Sequence, residues 1–184
     1  MLLMALVLAG NALLAQKKNE NYQLYIQETT EAVTIDGMLD EPAWQDAKVA
    51  KDFFMILPMD TSYARALTEV RMSYDQQFVY LAAECFTDGS GKTTVESLRR
   101  DFSFGGNDNF LVFIDPFDDL TNGFTFGANA AGAQWDGLMA NGDEANLSWD
   151  NKWYSKVRQY PDRWVLEAAI PFKSIRYNKG TTRW

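Results

Sequence analysis

From Tyr22 onward the chain consists of short alternating or wholly apolar runs, each ended after eight to twelve residues by Gly, Asn, Asp or Pro. Runs of that length bounded by turn formers are the signature of strands, and they constrain the chain to an all-β fold. The candidate strands are Tyr22 to Gln27, Ala32 to Ile35, Thr68 to Tyr74, Phe78 to Phe86, Phe110 to Ile114, Phe124 to Asn129, Lys152 to Gln159 and Arg163 to Ile170. Eight strands predict an antiparallel β-sandwich of jelly-roll type. Tyr74 to Phe78 and Tyr160 to Arg163 read as hairpin turns, with Asp75, Pro161 and Asp162 at ordinary turn positions. One short helix is expected near residues 41–47, capped by Asp40, with Pro42 in its first turn and Trp44 pointing inward. The stretch from Thr87 to Asn109 is the long loop, and long loops on a rigid sandwich are where binding tends to be placed.

Of 184 residues, 47% are apolar and 14% aromatic, enough to build one packed domain and too much for disorder. There are 17 basic and 25 acidic side chains, a net charge of -8, and no run of Lys and Arg longer than two. Nothing there neutralises a phosphate backbone, which argues against nucleic acid. Histidine is absent, removing Ser-His-Asp and Cys-His catalysis and every His-containing metal site. Cys85 is the only cysteine, so no intrachain disulfide forms; its place in the apolar run Phe78 to Phe86 marks it as a small buried hydrophobe.

Met1 to Ala15 carries no charge and is almost wholly aliphatic, and Gln16 to Glu20 turns abruptly polar. The run is shorter than a bilayer span and matches the apolar region of a secretory signal, with Ala15 the last residue removed and its true start upstream. The expected organisation is a signal segment over residues 1–15, a lead-in over 16–30 and one sandwich over 31–184, exported to the cell envelope.

The segment Ile35-Asp36-Gly37-Met38-Leu39-Asp40-Glu41-Pro42-Ala43-Trp44 resembles the opening signature of family 9 carbohydrate-binding modules. Further blocks follow in the matching order: Val70 to Asp75 leading to Val79-Tyr80-Leu81, Asp108 ahead of Phe110 to Asp115, and Trp164 to Phe172. The resemblance covers about Glu31 to Ile175 and implies a non-catalytic sugar-binding sandwich. Arg100-Asp101, Asp115 to Asp119 and Asn129 to Asp136 also look like the N-terminal domain of bacterial envelope proteins in which such a sandwich precedes an outer-membrane β-barrel. That resemblance implies further strands after the Ile170-Pro171-Phe172 block, so Thr181 to Trp184 reads as the start of a strand in an incomplete domain. In the family a terminal sugar is clamped between two tryptophans. The first position holds Phe104-Gly105-Gly106 here, and the second would lie beyond Trp184.

Aromatic rings bind the apolar C–H faces of pyranoses, and neighbouring polar side chains bind the hydroxyl rim. Gln134-Trp135-Asp136 and the Arg99 to Phe104 segment supply that mixture. The expected site therefore takes stacking from Phe104 and Trp135, and polar contacts from Arg100, Gln134 and Asp136. Trp44 and Trp164 read as core. Trp149 and Trp153 flank Asp150-Asn151-Lys152, which suits either an ordinary turn or the rim of a groove. For calcium, a hard cation taking six to eight oxygens, the candidates are Asp115, Asp118 and Asp119 in one acidic turn, and Asp88 with Asp108 at the two ends of the long loop. The family is known for calcium, although an acidic turn is also an ordinary solvated surface. Hydrolysis would need two carboxylates across a cleft, and nothing in the sequence pairs them. The reading is saccharide capture at the envelope. The alternatives are a structural appendage of an outer-membrane barrel with a degenerate sugar site and, more weakly, a domain associated with O-glycosyl hydrolysis.

Overall fold

The computed structural model describes residues 22–56, 62–87, 89, 92–142, 144–178 and 180–184. The apolar Met1 to Ala15 run and Asp88 lie outside the described residues. Among the described residues, ten strands form two sheets packed as a β-sandwich. The first sheet holds β1 (Gln27–Glu28), β3 (Thr68–Tyr74), β4 (Phe78–Phe86), β10 (Arg163–Pro171) and β9 (Tyr154–Gln159) in that spatial order, with β2 (Val49–Ala50) also paired to β3. The second holds β5 (Asn109–Ile114), β6 (Gly123–Asn129), β7 (Gln134–Ala140) and β8 (Glu144–Asn146). All pairs are antiparallel except β1 with β3, a two-residue parallel contact.

β4 and β10 read as nearly continuous apolar runs because they are central and covered on both faces. Leu81, Ala83 and Cys85 of β4, with Trp164, Leu166, Ala168 and Ile170 of β10, face the second sheet and meet Ile114, Phe124, Phe126 and Ala128. Removing each large side chain of this layer from water contributes about 1.5–3 kcal/mol. On the other face, Tyr80, Ala82 and Ala169 are covered by Val33, Ile35, Leu39 and Trp44 of the N-terminal segment.

That segment is locked down by Glu167 of β10, which is fully buried. Its Oε2 accepts the backbone N–H of Asp36 (2.9 Å) and Gly37 (2.8 Å), and its Oε1 accepts the indole N–H of Trp44 (2.9 Å). Gly37 sits at φ +84, where a Cβ would come within 2.8 Å of the Arg158 Cβ. Only glycine allows this turn and this approach to β9. The Ile35-to-Trp44 signature is thus a structural clasp: one carboxylate holds a turn and a helix onto the sheet.

β3 and β4 fall on the predicted residues, and β5, β6, β9 and β10 lie within two residues of prediction. Asp75 closes the β3–β4 hairpin, its Oδ1 accepting the N–H groups of Gln77 and Phe78. Tyr160 N–H donates to Arg163 O at 2.8 Å to close the turn between β9 and β10. Four expectations are corrected. Only the last residue of Tyr22 to Gln27 enters a strand, and Ala32 to Ile35 is irregular, because its side chains pack down on the sheet rather than pair beside it. The helix, α1, is a single turn over Pro42–Gln45 with Glu41 at the N-cap, not Asp40, and no side chain caps it. Its Glu41 Oε1 instead accepts the N–H of Thr34 (3.0 Å). β7 and β8 form over residues for which no strand is predicted. After β10 the chain makes a 3₁₀ turn over Phe172–Ser174, and residues 181–184 form no strand.

Candidate functional site

The loop between β4 and β5 runs along the free edge of β7 at its first residues. Asp101 N–H donates to Gln134 O at 3.0 Å, so the loop's side chains pass to both faces of the sheet. Buried amides hold this path. Asn107 Oδ1 accepts the N–H groups of Glu96 (2.8 Å) and Ser97 (3.1 Å), while its Nδ2 donates to Ser103 O (2.8 Å). Asn129 at the end of β6 donates to Ser97 O (2.7 Å) and accepts from the N–H of Ala131 and Ala133. Backbone groups that a loop normally gives to water are paired internally here, which makes the loop a fixed platform.

On the inner side of the edge, Arg100 and the alternate residues Gln134 and Asp136 come together. Arg100 Nη1 donates to Gln134 Oε1 at 2.8 Å, and its Nη2 pairs with Asp136 Oδ1 and with Asp150 Oδ1 at 2.7 Å. Asp136 is fully buried, and its Oδ2 accepts the N–H of Asn151 at 3.2 Å. Burial pushes the Asp136 carboxyl above its ordinary range, opposed by the Asn151 amide and the Arg100 guanidinium. Gln134 Nε2 donates to Ser155 Oγ on β9 at 2.9 Å, tying the cluster to the other sheet.

On the outer side, Phe104 and Trp135 meet edge to face with ring centroids 4.9 Å apart. Trp135 is only 2% exposed, sunk among Phe102, Ala133 and Leu111, whereas Phe104 is 45% exposed. The five expected residues therefore form two adjoining groups divided by the β7 backbone. Phe104 is the ring that reaches solvent and Trp135 its floor; Arg100 and Gln134 are the half-buried polar pair and Asp136 their anchor.

The segment Trp149 to Trp153 is an irregular connection between β8 and β9. Trp149 packs on Phe124 and Phe126, and Trp153 packs on Phe126 at 5.6 Å, so both rings belong to the core. Between them, Asp150 and Asn151 reach Arg100 and Asp136. Their part in the cluster was missed because the signal, two acidic or amide residues between tryptophans, does not say which way each points.

In the acidic turn, carboxylates accept local N–H groups. Asp115 accepts the N–H groups of Phe117 and Leu120, and Asp119 accepts those of Thr121 and Asn122 together with the Asn122 side chain. Those donors hold Asp119 well below the usual carboxylate range. Asp108 Oδ2 accepts the N–H of Thr94 at 2.8 Å and pins the loop. Among the described residues, no group of three or more acidic or thiol side chains is placed to hold a metal ion. A pocket of about 340 Å³, lined by Phe113, Leu120, Asn122 and Met139 among others, lies at the opposite end of the second sheet from Phe104.

No protein-family model matches the chain, and no curated protein matches it by sequence. Solved structures do. A family 9 carbohydrate-binding module from Caldicellulosiruptor kristjanssonii in complex with cellotriose is similar at TM-score 0.55 and 16% identity, covering 80% of this chain and 66% of that one. The complex of a family 9 module from the same organism with glucose gives 0.55 and 14%, covering 83% and 71%. A protein from Bacteroides uniformis provisionally assigned to carbohydrate binding gives 0.59 and 13%, covering 81% and 72%. The chain thus spans about two-thirds of the length of these structures, and at such identities the similarity is one of fold: the chain is a β-sandwich with a fold like that of the family 9 modules.

Proposed function

We propose that the chain is a non-catalytic carbohydrate-binding module that captures a saccharide at the edge of β7, on the exposed Phe104 ring, with Arg100 and Gln134 on the other side of the β7 backbone as the polar group of the same edge. The observation carrying this reading is the exposed Phe104 ring, seated on buried Trp135 and carried by the same fixed loop as Arg100. A ring held from below loses little freedom when a pyranose face covers it. The fold supports the reading, since similar sandwiches have been solved with cellotriose and glucose bound. Action at the bacterial cell envelope, with an outer-membrane barrel in the same full-length protein, rests on the sequence resemblance and on the apolar Met1 to Ala15 run. Fractionation of native cells tests that placement.

Isothermal titration of the full chain against cello-oligosaccharides and a panel of soluble glycans tests capture. We expect saturable heat with an affinity that falls about tenfold in Phe104→Ala, the loss of one stacking contact of about 1.4 kcal/mol. The folded variant should keep the wild-type thermal midpoint. Repeating the titration with chelator examines calcium: heat lost and restored by added Ca²⁺ puts a metal in the site, while an unchanged isotherm leaves capture to side chains.

A second reading, a structural appendage with a degenerate site, is favoured by one observation. Both Arg100 terminal nitrogens are already committed to Gln134, Asp136 and Asp150. Silence of the folded chain toward the whole panel would select it.

A further inference from the structure

We propose that the ligand is a saccharide chain laid across the outer face of the second sheet, from Phe104 to a second exposed ring, Phe113 of β5, so that the module takes oligosaccharides rather than single sugars. The proposal rests on capture at Phe104 and names the class of ligand that such capture selects. Along β5, Phe110, Val112 and Ile114 pack into the core, so the alternate residues Leu111 and Phe113 face outward. Leu111 accordingly joins the cluster around Trp135, the floor under Phe104. Register fixes the spacing. Trp135 lies across from Gly127 of β6, and Gly127 across from Leu111; Phe113 is the next outward residue on β5, opposite Thr125. Two strand spacings and two residues of rise put the Trp135 and Phe113 backbones roughly 12 Å apart. One pyranose ring does not bridge that span, whereas a short oligosaccharide does.

The surface between the two rings suits a neutral chain. Leu111 lies across Gly127 and Leu147 across Gly137, each close to where a Cβ would stand. Thr125 between them is fully buried, so the floor is low, and none of these residues is charged. Beyond Phe113, which is 56% exposed, the face ends in the pocket of about 340 Å³ walled by Leu120 and Met139. Exposed Thr121 and Asn122 put hydroxyl and amide groups on its rim, while the carboxylates of Asp115 and Asp119 are turned to local N–H groups. Leu120 is exposed at φ +60, where Asp115 Oδ2 holds it by accepting its N–H at 2.8 Å. A leucine in left-handed backbone is a strained arrangement of the kind kept at binding sites, and it fixes one wall of the pocket. Exposed rings, an aliphatic floor and an amide and hydroxyl rim match the C–H faces and hydroxyl edges of linked pyranoses. A charged partner finds no counter-charge on this floor.

The test is isothermal titration of the full chain with cellobiose and cellohexaose, and with the matching xylo- and chito-oligosaccharides. In a series that binds, affinity should rise about tenfold from the disaccharide to the hexasaccharide, the gain of one further stacking contact. Phe113→Ala should abolish that rise and leave the disaccharide affinity unchanged, Phe113→Tyr should keep the rise, and Phe104→Ala should weaken both ligands. The Phe113 ring is exposed, so both of its variants should retain the wild-type thermal midpoint. Equal affinities for short and long chains, or a length gain that survives Phe113→Ala, overturn the proposal and leave capture at Phe104 standing. Silence toward every series overturns both. Sedimentation velocity without sugar covers the remaining occupant: a dimer that Phe113→Ala dissolves assigns this face to a second copy of the chain and overturns the proposal.

Discussion

Glu167 shows how one side chain can decide a fold. Its two oxygens receive three N–H donors from the clasp, while its burial opposes charge and pushes its carboxyl up to about 7. The folded state then holds a proton that the unfolded chain has released. Stability from this group is fully present below its ordinary value of 4.5 and is lost as the pH rises through about 7. Asp136, also raised, acts with the same sign. We expect unfolding free energy to fall by about 3 kcal/mol between pH 4.5 and 7.5 in denaturant titrations, and Glu167→Gln to remove most of that slope. At a fixed pH the amide must turn its NH₂ toward one of the clasp's donors, so the variant should also lose about 1–3 kcal/mol. The residues of the clasp were visible as a motif, but its purpose was not: Glu167 is 131 positions away from Asp36, and no local pattern announces such a partner.

At the scale of elements, strands were legible where burial imposes one pattern. β3, β4 and β10 are long and bounded by clear turns, and the last two are buried on both faces. β7 was hidden because Gly132, Gly137 and the polar residues Gln134 and Asp136 give it the composition of a loop. Those polar residues are tolerated inside the sandwich only because Arg100, Asn151 and Ser155 satisfy them. The long loop was singled out as the place for a site, and its rigidity depends on Asn107. Asn107→Ala leaves the Glu96 and Ser97 amides unpaired and should cost about 2–3 kcal/mol. Hydrogen exchange should then quicken over residues 96–104 before it does in β4 and β10. Weaker saccharide heat should accompany it, since Phe104 and Arg100 ride on this loop.

For the whole molecule, the two sheets share one core, in which Phe126 meets Trp149 and Trp153. Phe126→Ala should cost about 3–5 kcal/mol in urea unfolding, with tryptophan fluorescence and far-ultraviolet circular dichroism still changing together. Separate transitions would mean that the sheets are independent. By itself the sequence determined the all-β class, the central strands, the hairpin turns and the inward Trp44, because period, turn formers and burial are local properties of the chain. It also singled out Arg100, Phe104, Gln134, Trp135 and Asp136 as a set. Only the tertiary structure decided that β7 divides that set, sinking Trp135 and Asp136 and leaving Phe104 as the exposed ring. Exposure and partnership depend on what other strands bring alongside, and a residue's neighbours in the chain do not carry that information.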